Sequence, residues 1–388
     1  MILKDIEDGL ASLDHRHLRR HRRVIDTPVG PRMTADGKPL LAFCSNDYLG
    51  LANHPQIVEA LCAGARRWGA GGGASHLVSG HLRPHQELEQ RLAEFAGLPR
   101  ALCFSTGYLA NLAVAPTLAG RGDAIFSDHL NHASLIDAAI ASGAERKRYA
   151  HNDTAALEKL LRASTAKRKL ILTDAVFSMD GDLADLPRLF ELAEQHDAWL
   201  VVDDAHGFGV LGERGRGSLS HFGLPAAPRI VYVGTFGKAA GVAGAFVAGD
   251  TRLIEWLMQQ ARSYIFTTAA PPALSCALLK SLELIAAGDD RRNKLGALIA
   301  RLRDGVGALA ADRGWRLADS ATPIQPVIVG ENRAALALSK ALEQQGLWVP
   351  AIRPPTVPMG SARLRLSLSA AHELADVDAL LAALRQAA

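Results

Sequence analysis

The chain has 388 residues, 48% of them hydrophobic, enough to bury a large core and to exceed a single small domain. With 43 basic against 40 acidic side chains its formal charge is +3, which excludes a molecule selected as a whole for nucleic acid or an anionic membrane. Four scattered cysteines with no C-x-x-C pair argue against a disulfide framework or zinc cluster, and no apolar run reaches the roughly 18 residues of a membrane span, so a soluble, cytoplasmic protein is expected.

In chain order, MILKDIEDGLASL has helical periodicity with interspersed acids, so the following RHLRRHRR, residues 16–23, reads as part of an amphipathic helix rather than a nucleic-acid arm. LLAF (40–43) reads as a short strand. HPQIVEALCAGARRW and PHQELEQRLAEF read as helices, parted by GAGGGASHLVSGHLR (69–83), a loop too rich in glycine to be scaffold alone. From about residue 100 the pattern alternates. ALCFS, DAIFSD, ERKRY, KLILTDAVF and AWLVVDD are strands, and YLANLAVAPTLA, ASLIDAAIA, TAALEKLLRA and LPRLFELAEQH are the helices between them. This predicts an α/β fold with a mostly parallel sheet between helices, whose ligands bind at the carboxyl ends of the strands. RIVYVG (229–234) and GAFVA (244–248) extend the same sheet. Two helices follow, and GDDRRNK (288–294) then breaks the apolar rhythm. The remainder, with strands near PIQPVIV, LWVPAI and RLRLSLS and helices from 295, 332 and 373, reads as a smaller α+β domain closed by a stripe of Leu374, Val377, Leu381 and Leu384. The expected division is an N-terminal helix and arm (1–45), a large domain (46–287) and a small C-terminal domain (288–388).

One lysine stands out. In GTFGKAAGVAGAF (234–246) Lys238 has no charged neighbour. A lysine beside apolar residues ordinarily keeps its ammonium in water. A lysine withdrawn from water has a lowered pKa instead, and its neutral amine attacks carbonyls to form a Schiff base. A P-loop is excluded, because Tyr232 stands at the first glycine's position and Ala239 follows the lysine.

LVVDDAHG (200–207) ends a strand with Asp203, Asp204 and His206. These could hold a divalent metal, but no second His or Cys cluster supports one, and no metal is expected. An acid just inside a strand end is better used to keep a cationic ring nitrogen protonated, as pyridoxal phosphate requires. That cofactor's aldehyde needs a lysine, for which Lys238 is the candidate. Its phosphate needs N–H donors and hydroxyls at a helix start, where STGYLAN (105–111) offers Thr106, Gly107 and Tyr108. Its ring face needs a flat partner, and NHAS (131–134) offers His132. Taken singly His132 is a helix-start histidine; the constellation gives it weight.

SNDYLGL (45–51), STGYLAN, NHASL, FSMDGD (177–182), VDDAHGFGVLGERGRG (202–217) and TFGKAAGVAGAF resemble, in order and spacing, the pyridoxal-phosphate-dependent α-oxoamine synthases. The resemblance runs from about residue 40 to the C-terminus. It implies a fold-type-I transferase that condenses an amino acid with an acyl thioester and releases CO₂. AIRPPTVPMGSARLRLSLSAAH (351–372) is most similar to the biotin-pathway branch, which joins L-alanine to a pimeloyl thioester.

The resemblance also implies roles. Lys238 would carry the cofactor Schiff base, Asp203 would pair with the ring nitrogen, His206 would contact the ring's phenolic oxygen and His132 would stack on the ring. Ser178, Thr235, Gly107 and Tyr108 match cofactor contacts. Thr267 and Thr268 match a segment that reaches the phosphate of a neighbouring subunit, implying a homodimer. Arg353 matches the arginine holding the amino acid's carboxylate, with Asn46 beside it, and Thr356 and Arg19 match substrate contacts, Arg20 being the alternative to Arg19.

The chain departs from the family's pattern at Ser75–His76, so His76 receives no role, and at Ala239–Ala240, which implies a roomier pocket beside the lysine. Coenzyme A and acyl carrier protein both remain open as the pimeloyl carrier. The alternatives are a sibling synthase using glycine or serine, another fold-type-I chemistry such as transamination, and a non-catalytic protein that binds nucleic acid or another partner through residues 16–23.

Overall fold

The structure, a computed structural model, describes residues 2–16 and 18–387. Its centre is a seven-stranded sheet in the order Arg100–Phe104, Ala245–Gly249, Ile230–Thr235, Ala198–Asp203, Lys169–Asp174, Ala124–Asp128 and Glu145–Tyr149. Only Ala245–Gly249 runs against its neighbours; the other contacts are parallel. The inner strands are continuous apolar runs because both faces are covered: Leu170, Leu172 and Val201 pack toward one layer of helices, Ile171, Leu200 and Val202 toward the other, and all are fully buried, whereas the edge strand Glu145–Tyr149 is charged and mostly exposed. The helices present matching stripes. In Leu186–Gln195, for example, Leu186, Leu189, Leu192 and Ala193 are buried, and the Asp185 carboxylate caps the start by accepting from Arg188 N at 3.2 Å.

A second, antiparallel sheet has the order Arg316–Leu317, Ile324–Gly330, Ala362–Ser367, Ala351–Ile352. A third joins the hairpin Arg32–Ala35 and Lys38–Ala42 to Leu347–Trp348. The hairpin turns at Asp36 and Gly37, both at positive φ, an Asp-Gly pair suited to a two-residue turn. The arm is thereby stitched to the C-terminal part of the chain.

Four local expectations change. The first helix spans Ile2–His15 and stops before the basic run, whose His17 lies outside the described residues. Arg23 instead bonds Asp36 at 2.8 Å, pairs with Glu343 at 3.2 Å and lies 4.8 Å over the Trp348 ring, which holds this segment extended. GDDRRNK starts a helix rather than breaking the pattern: Asp289–Arg313 begins with Asp289 and Asp290 in its first turn, where carboxylates meet the positive end of the helix dipole. LWVPAI is two short strands parted at Val349–Pro350, because proline cannot donate to a ladder. In the last helix, Leu374–Gln386, Leu374 is exposed in the first turn, and Leu380 joins Val377, Leu381 and Leu384 in the buried stripe. Among the described residues no helix is long and apolar enough to cross a membrane.

Candidate active site

The parallel register places Asp174, ending Lys169–Asp174, opposite Asp203, ending Ala198–Asp203. Both carboxyls are buried. Asp203 Oδ2 accepts from Asn111 Nδ2 at 2.6 Å and Oδ1 from Ala205 N at 3.0 Å. The loop after Ile230–Thr235 brings Lys238 to the same edge. Gly241 in that loop has φ 68°, and a Cβ there would come within 2.5 Å of the Leu51 and Ala52 backbone, so glycine lets the lysine loop seat against the SNDYLGL segment. Burial lowers the Lys238 pKa to about 8, against the opposing pull of Asp203 and Asp174. Among the described residues its amine makes no hydrogen bond or ion pair.

His132 sits on the near side as the N-cap of Ala133–Ser142. Its backbone N–H donates to Asp174 Oδ2 at 2.7 Å, and Nδ1 lies 2.8 Å from Ser134 Oγ. Burial lowers its pKa, with Asp203 opposing the shift and Lys238 adding to it, so the three groups feel one another's charge. His206 is buried, and its Nδ1 lies 2.6 Å from Tyr48 Oη. Burial drives its pKa well below the ordinary value, Lys238 and Arg365 adding to the effect, so the imidazole is neutral.

Asn46 Oδ1 receives both terminal nitrogens of Arg365 at 3.3 Å and Tyr48 Oη at 3.2 Å. The backbone carbonyl of Ser178 accepts from Arg365 Nε at 2.6 Å.

At the other end Thr106 caps Gly107–Leu118, its Oγ1 accepting from Leu109 N at 3.2 Å. The N–H groups of Gly107 and Tyr108 precede any intrahelical partner and, among the described residues, make no hydrogen bond, which leaves them to an anion. Gly107 faces Thr235, whose Oγ1 a Cβ would meet at 3.8 Å. The Tyr108 hydroxyl bonds Asp137.

Thr267 and Thr268 line a cavity of roughly 290 Å³ with Ser105, Gly244, Tyr264 and His76. His76 belongs to a trio with His81 and His85. His85 uses both ring nitrogens, accepting from Leu82 N at 3.0 Å and donating to Ala270 O at 2.8 Å, so the trio is held by hydrogen bonds. Arg353 is half-buried after the strand Ala351–Ile352, and its carbonyl accepts from Thr356 N at 3.1 Å. Among the described residues Arg19 has no contact with the cluster; it pairs with Asp14 at 2.6 Å, both side chains exposed.

Sequence reasoning passed over Asn111, Asp174, Tyr48 and Arg365. The signal for Arg365 was present, since alternation in RLRLS puts Arg363 and Arg365 on one face of a buried strand. Arg363 bonds Asp180 at 2.6 Å, whereas among the described residues no carboxylate pairs with Arg365. A buried guanidinium without a counter-ion is costly unless an anion arrives.

Asp204 faces away into the core. Its Oδ2 accepts from Tyr232 Oη at 2.6 Å and Ser218 N at 2.7 Å, and burial raises its pKa to about 7.

A desolvated amine, a strand-end carboxylate, a neutral histidine pair and open helix-start N–H groups fit a pyridine aldehyde carrying a phosphate. On a sheet of this topology they define a pyridoxal-phosphate-dependent transferase of fold type I. Residues 38–384 match the family described as aminotransferase class I and II. An 8-amino-7-oxononanoate synthase from Dechloromonas aromatica (strain RCB) is 63% identical, with 100% of each chain covered. A crystal structure of 8-amino-7-oxononanoate synthase from Francisella tularensis superposes with a TM-score of 0.77 at 31% identity, covering 89% of this chain and 97% of that one. A serine palmitoyltransferase variant from S. paucimobilis, with a bound adduct of PLP and myriocin, superposes with a TM-score of 0.91 at 30% identity, covering 99% and 96%. The chain belongs to the 8-amino-7-oxononanoate synthases, acyltransferases of the α-oxoamine synthase family that use pyridoxal 5'-phosphate.

Proposed function

We propose that the chain condenses L-alanine with a pimeloyl thioester, carried by coenzyme A or acyl carrier protein, to give 8-amino-7-oxononanoate, CO₂ and free thiol in biotin biosynthesis. The observation that carries this reading is a Lys238 amine whose pKa burial lowers to about 8, close enough to feel the charge of a buried Arg365 that, among the described residues, pairs with no carboxylate, an arrangement suited to an amino acid. Pyridoxal phosphate supplies an electron-poor ring that accepts the electron pair left when a bond to the amino acid's Cα breaks.

The protein's own groups do the rest. With the cofactor bound, Lys238 Nζ would hold its aldehyde, and as a free amine would take the substrate's Cα proton and return one. The Asp203 carboxylate would keep the ring nitrogen protonated. His206 would meet the ring's phenolic oxygen, with Tyr48 fixing the orientation of its imidazole. His132 would cover the ring face and polarise the incoming thioester carbonyl. Thr106, Gly107, Tyr108, Ser178 and Thr235 would hold the cofactor, the first three at its phosphate. Arg365 and Arg353 receive the carboxylate beside Asn46 by the two-pronged bonding that guanidinium allows, and Thr356 and Arg19 contact substrate. Thr267 and Thr268 complete the phosphate site of a second copy, so the enzyme works as a cytoplasmic homodimer. The chain divides into an N-terminal helix and arm (1–45), a cofactor domain (46–287) and a small domain (288–388).

The test is thiol release by the purified protein from pimeloyl-coenzyme A and from pimeloyl-acyl carrier protein, each with alanine, glycine or serine. Release with alanine is expected. Release with glycine or serine but not alanine would assign the chain to a sibling activity.

A further inference from the structure

Between Asp203 and His132 lie two fully buried side chains, Asn111 on the helix Gly107–Leu118 and Ser134 on Ala133–Ser142. The Asn111 amide nitrogen donates one hydrogen to Asp203 Oδ2 at 2.6 Å and the other to Ser134 Oγ at 2.8 Å. The Asn111 oxygen is buried without a partner. An orphaned amide oxygen is expensive, and turning the amide over would not relieve the site, because its oxygen would then face a carboxylate oxygen at 2.6 Å. The orientation is therefore dictated by the two donations.

The directions of the remaining bonds follow. Ser134 N donates to His132 Nδ1 at 3.3 Å, which makes that nitrogen an acceptor. An amide nitrogen accepts nothing, so the Ser134 hydroxyl receives from Asn111 and sends its own hydrogen to the same His132 Nδ1 at 2.8 Å. Nδ1 is thus an acceptor twice over, and the proton of the neutral ring belongs on Nε2. Asp174 holds the other side of the same residue through the His132 backbone N–H at 2.7 Å.

We propose that Asn111 and Ser134 are positioning residues forming a one-way hydrogen-bond bridge from the Asp203 carboxylate to His132, which fixes His132 as its Nε2–H tautomer and so makes it a hydrogen-bond donor toward substrate. The inference rests on the functional reading above, in which Asp203 and His132 serve the cofactor and the thioester. It adds that one buried amide sets the geometry of both. A histidine with its proton on Nδ1 would present a lone pair to a thioester carbonyl and would repel it; the bridge removes that state.

The bridge is tested by nitrogen NMR of the holoenzyme carrying isotope-labelled histidine, His132 being assigned by the signals lost in His132→Asn. Wild type is expected to show an unprotonated Nδ1 and a protonated Nε2. Ser134→Ala is expected to lose at least about half of that preference, because the hydroxyl donor is gone while a long backbone contact remains. Pyridoxal phosphate affinity, measured by equilibrium dialysis, is expected to weaken about tenfold in Asn111→Ala and less than about twofold in Ser134→Ala. The double variant should be no weaker than Asn111→Ala alone, since the two residues act in series. A protonated Nδ1 in wild type, or unchanged His132 signals in Ser134→Ala, overturns the bridge while leaving the functional reading intact. Failure of wild type to take up pyridoxal phosphate overturns that reading, and the bridge with it. Should Asn111→Ala not fold, the Ser134→Ala signals decide alone.

Discussion

Tyr48 Oη and His206 Nδ1 meet at 2.6 Å inside the protein, and burial pushes the Tyr48 pKa up to about 12. The phenol therefore stays protonated at neutral pH and serves as the partner of a neutral imidazole. Tyr48→Phe leaves His206 Nδ1 buried without a partner. Its expected cost is about 1 to 3 kcal/mol of stability, the scale of an unsatisfied buried group, with cofactor still bound; a denaturant titration of the holoenzyme checks it.

Lys238→Ala is expected to fold, to bind pyridoxal phosphate without a covalent link and to lose turnover. In the wild type, covalent capture of added cofactor requires the neutral amine. With a pKa of about 8 the neutral fraction grows about tenfold per pH unit below that value and levels off above it. The initial rate of appearance of the yellow band, followed from pH 6 to 10 on cofactor-free protein, should therefore bend near pH 8. A bend close to an unperturbed lysine's value, near 10.4, would contradict the desolvated site.

Asp203→Asn and Asp204→Asn should separate sharply. An amide at 203 cannot hold a ring nitrogen as a cation, and kcat is expected to fall by about 100-fold or more with cofactor retained. Asp204 touches Tyr232 and Ser218 in the core, so its amide should cost about 1 to 2 kcal/mol of stability and change kcat by less than about fivefold. Steady-state rates beside a melting curve measure both, and a reversed order would mean that the other acid faces the ring.

Arg365→Lys keeps a positive charge but loses the planar fork. Its apparent affinity for L-alanine, read from the spectral change of the bound cofactor, is expected to weaken by about 1.5 to 3 kcal/mol, roughly 10- to 150-fold. Arg353→Ala, measured in the same titration, shows whether the second guanidinium shares the carboxylate. A value within about twofold of wild type for Arg365→Lys would remove Arg365 from substrate binding.

His151 is clamped between Asp128 at 3.1 Å and Asp182 at 2.7 Å. Burial opposes its charge, but the two carboxylates outweigh burial and raise its pKa to about 10. Because the folded value lies above the unfolded one of 6.5, the stabilisation is fully present below about pH 6.5 and is lost as pH rises toward 10. His151→Gln should remove about 2 to 3 kcal/mol at pH 6 and progressively less toward pH 10, as unfolding curves at the two ends of that range would show.

By itself the sequence determined the alternation of short strands and helices from Arg100 to Asp203, the placing of Lys238 in an uncharged loop and the gathering of polar residues at strand ends. Those features are local, set by a side-chain period of two or 3.6 and by capping residues within one turn. Tertiary structure decided the rest. Asp203 and Asp204 are adjacent and chemically identical, and only the Tyr232 hydroxyl and Ser218 N–H around Asp204 show which carboxylate is tied into the core. Arg363 and Arg365 share one strand face, but Asp180, far earlier in the chain, neutralises the first, while among the described residues no carboxylate pairs with the second. Charge compensation is settled by neighbours in space across long sequence separations, and no periodicity along the chain reports it.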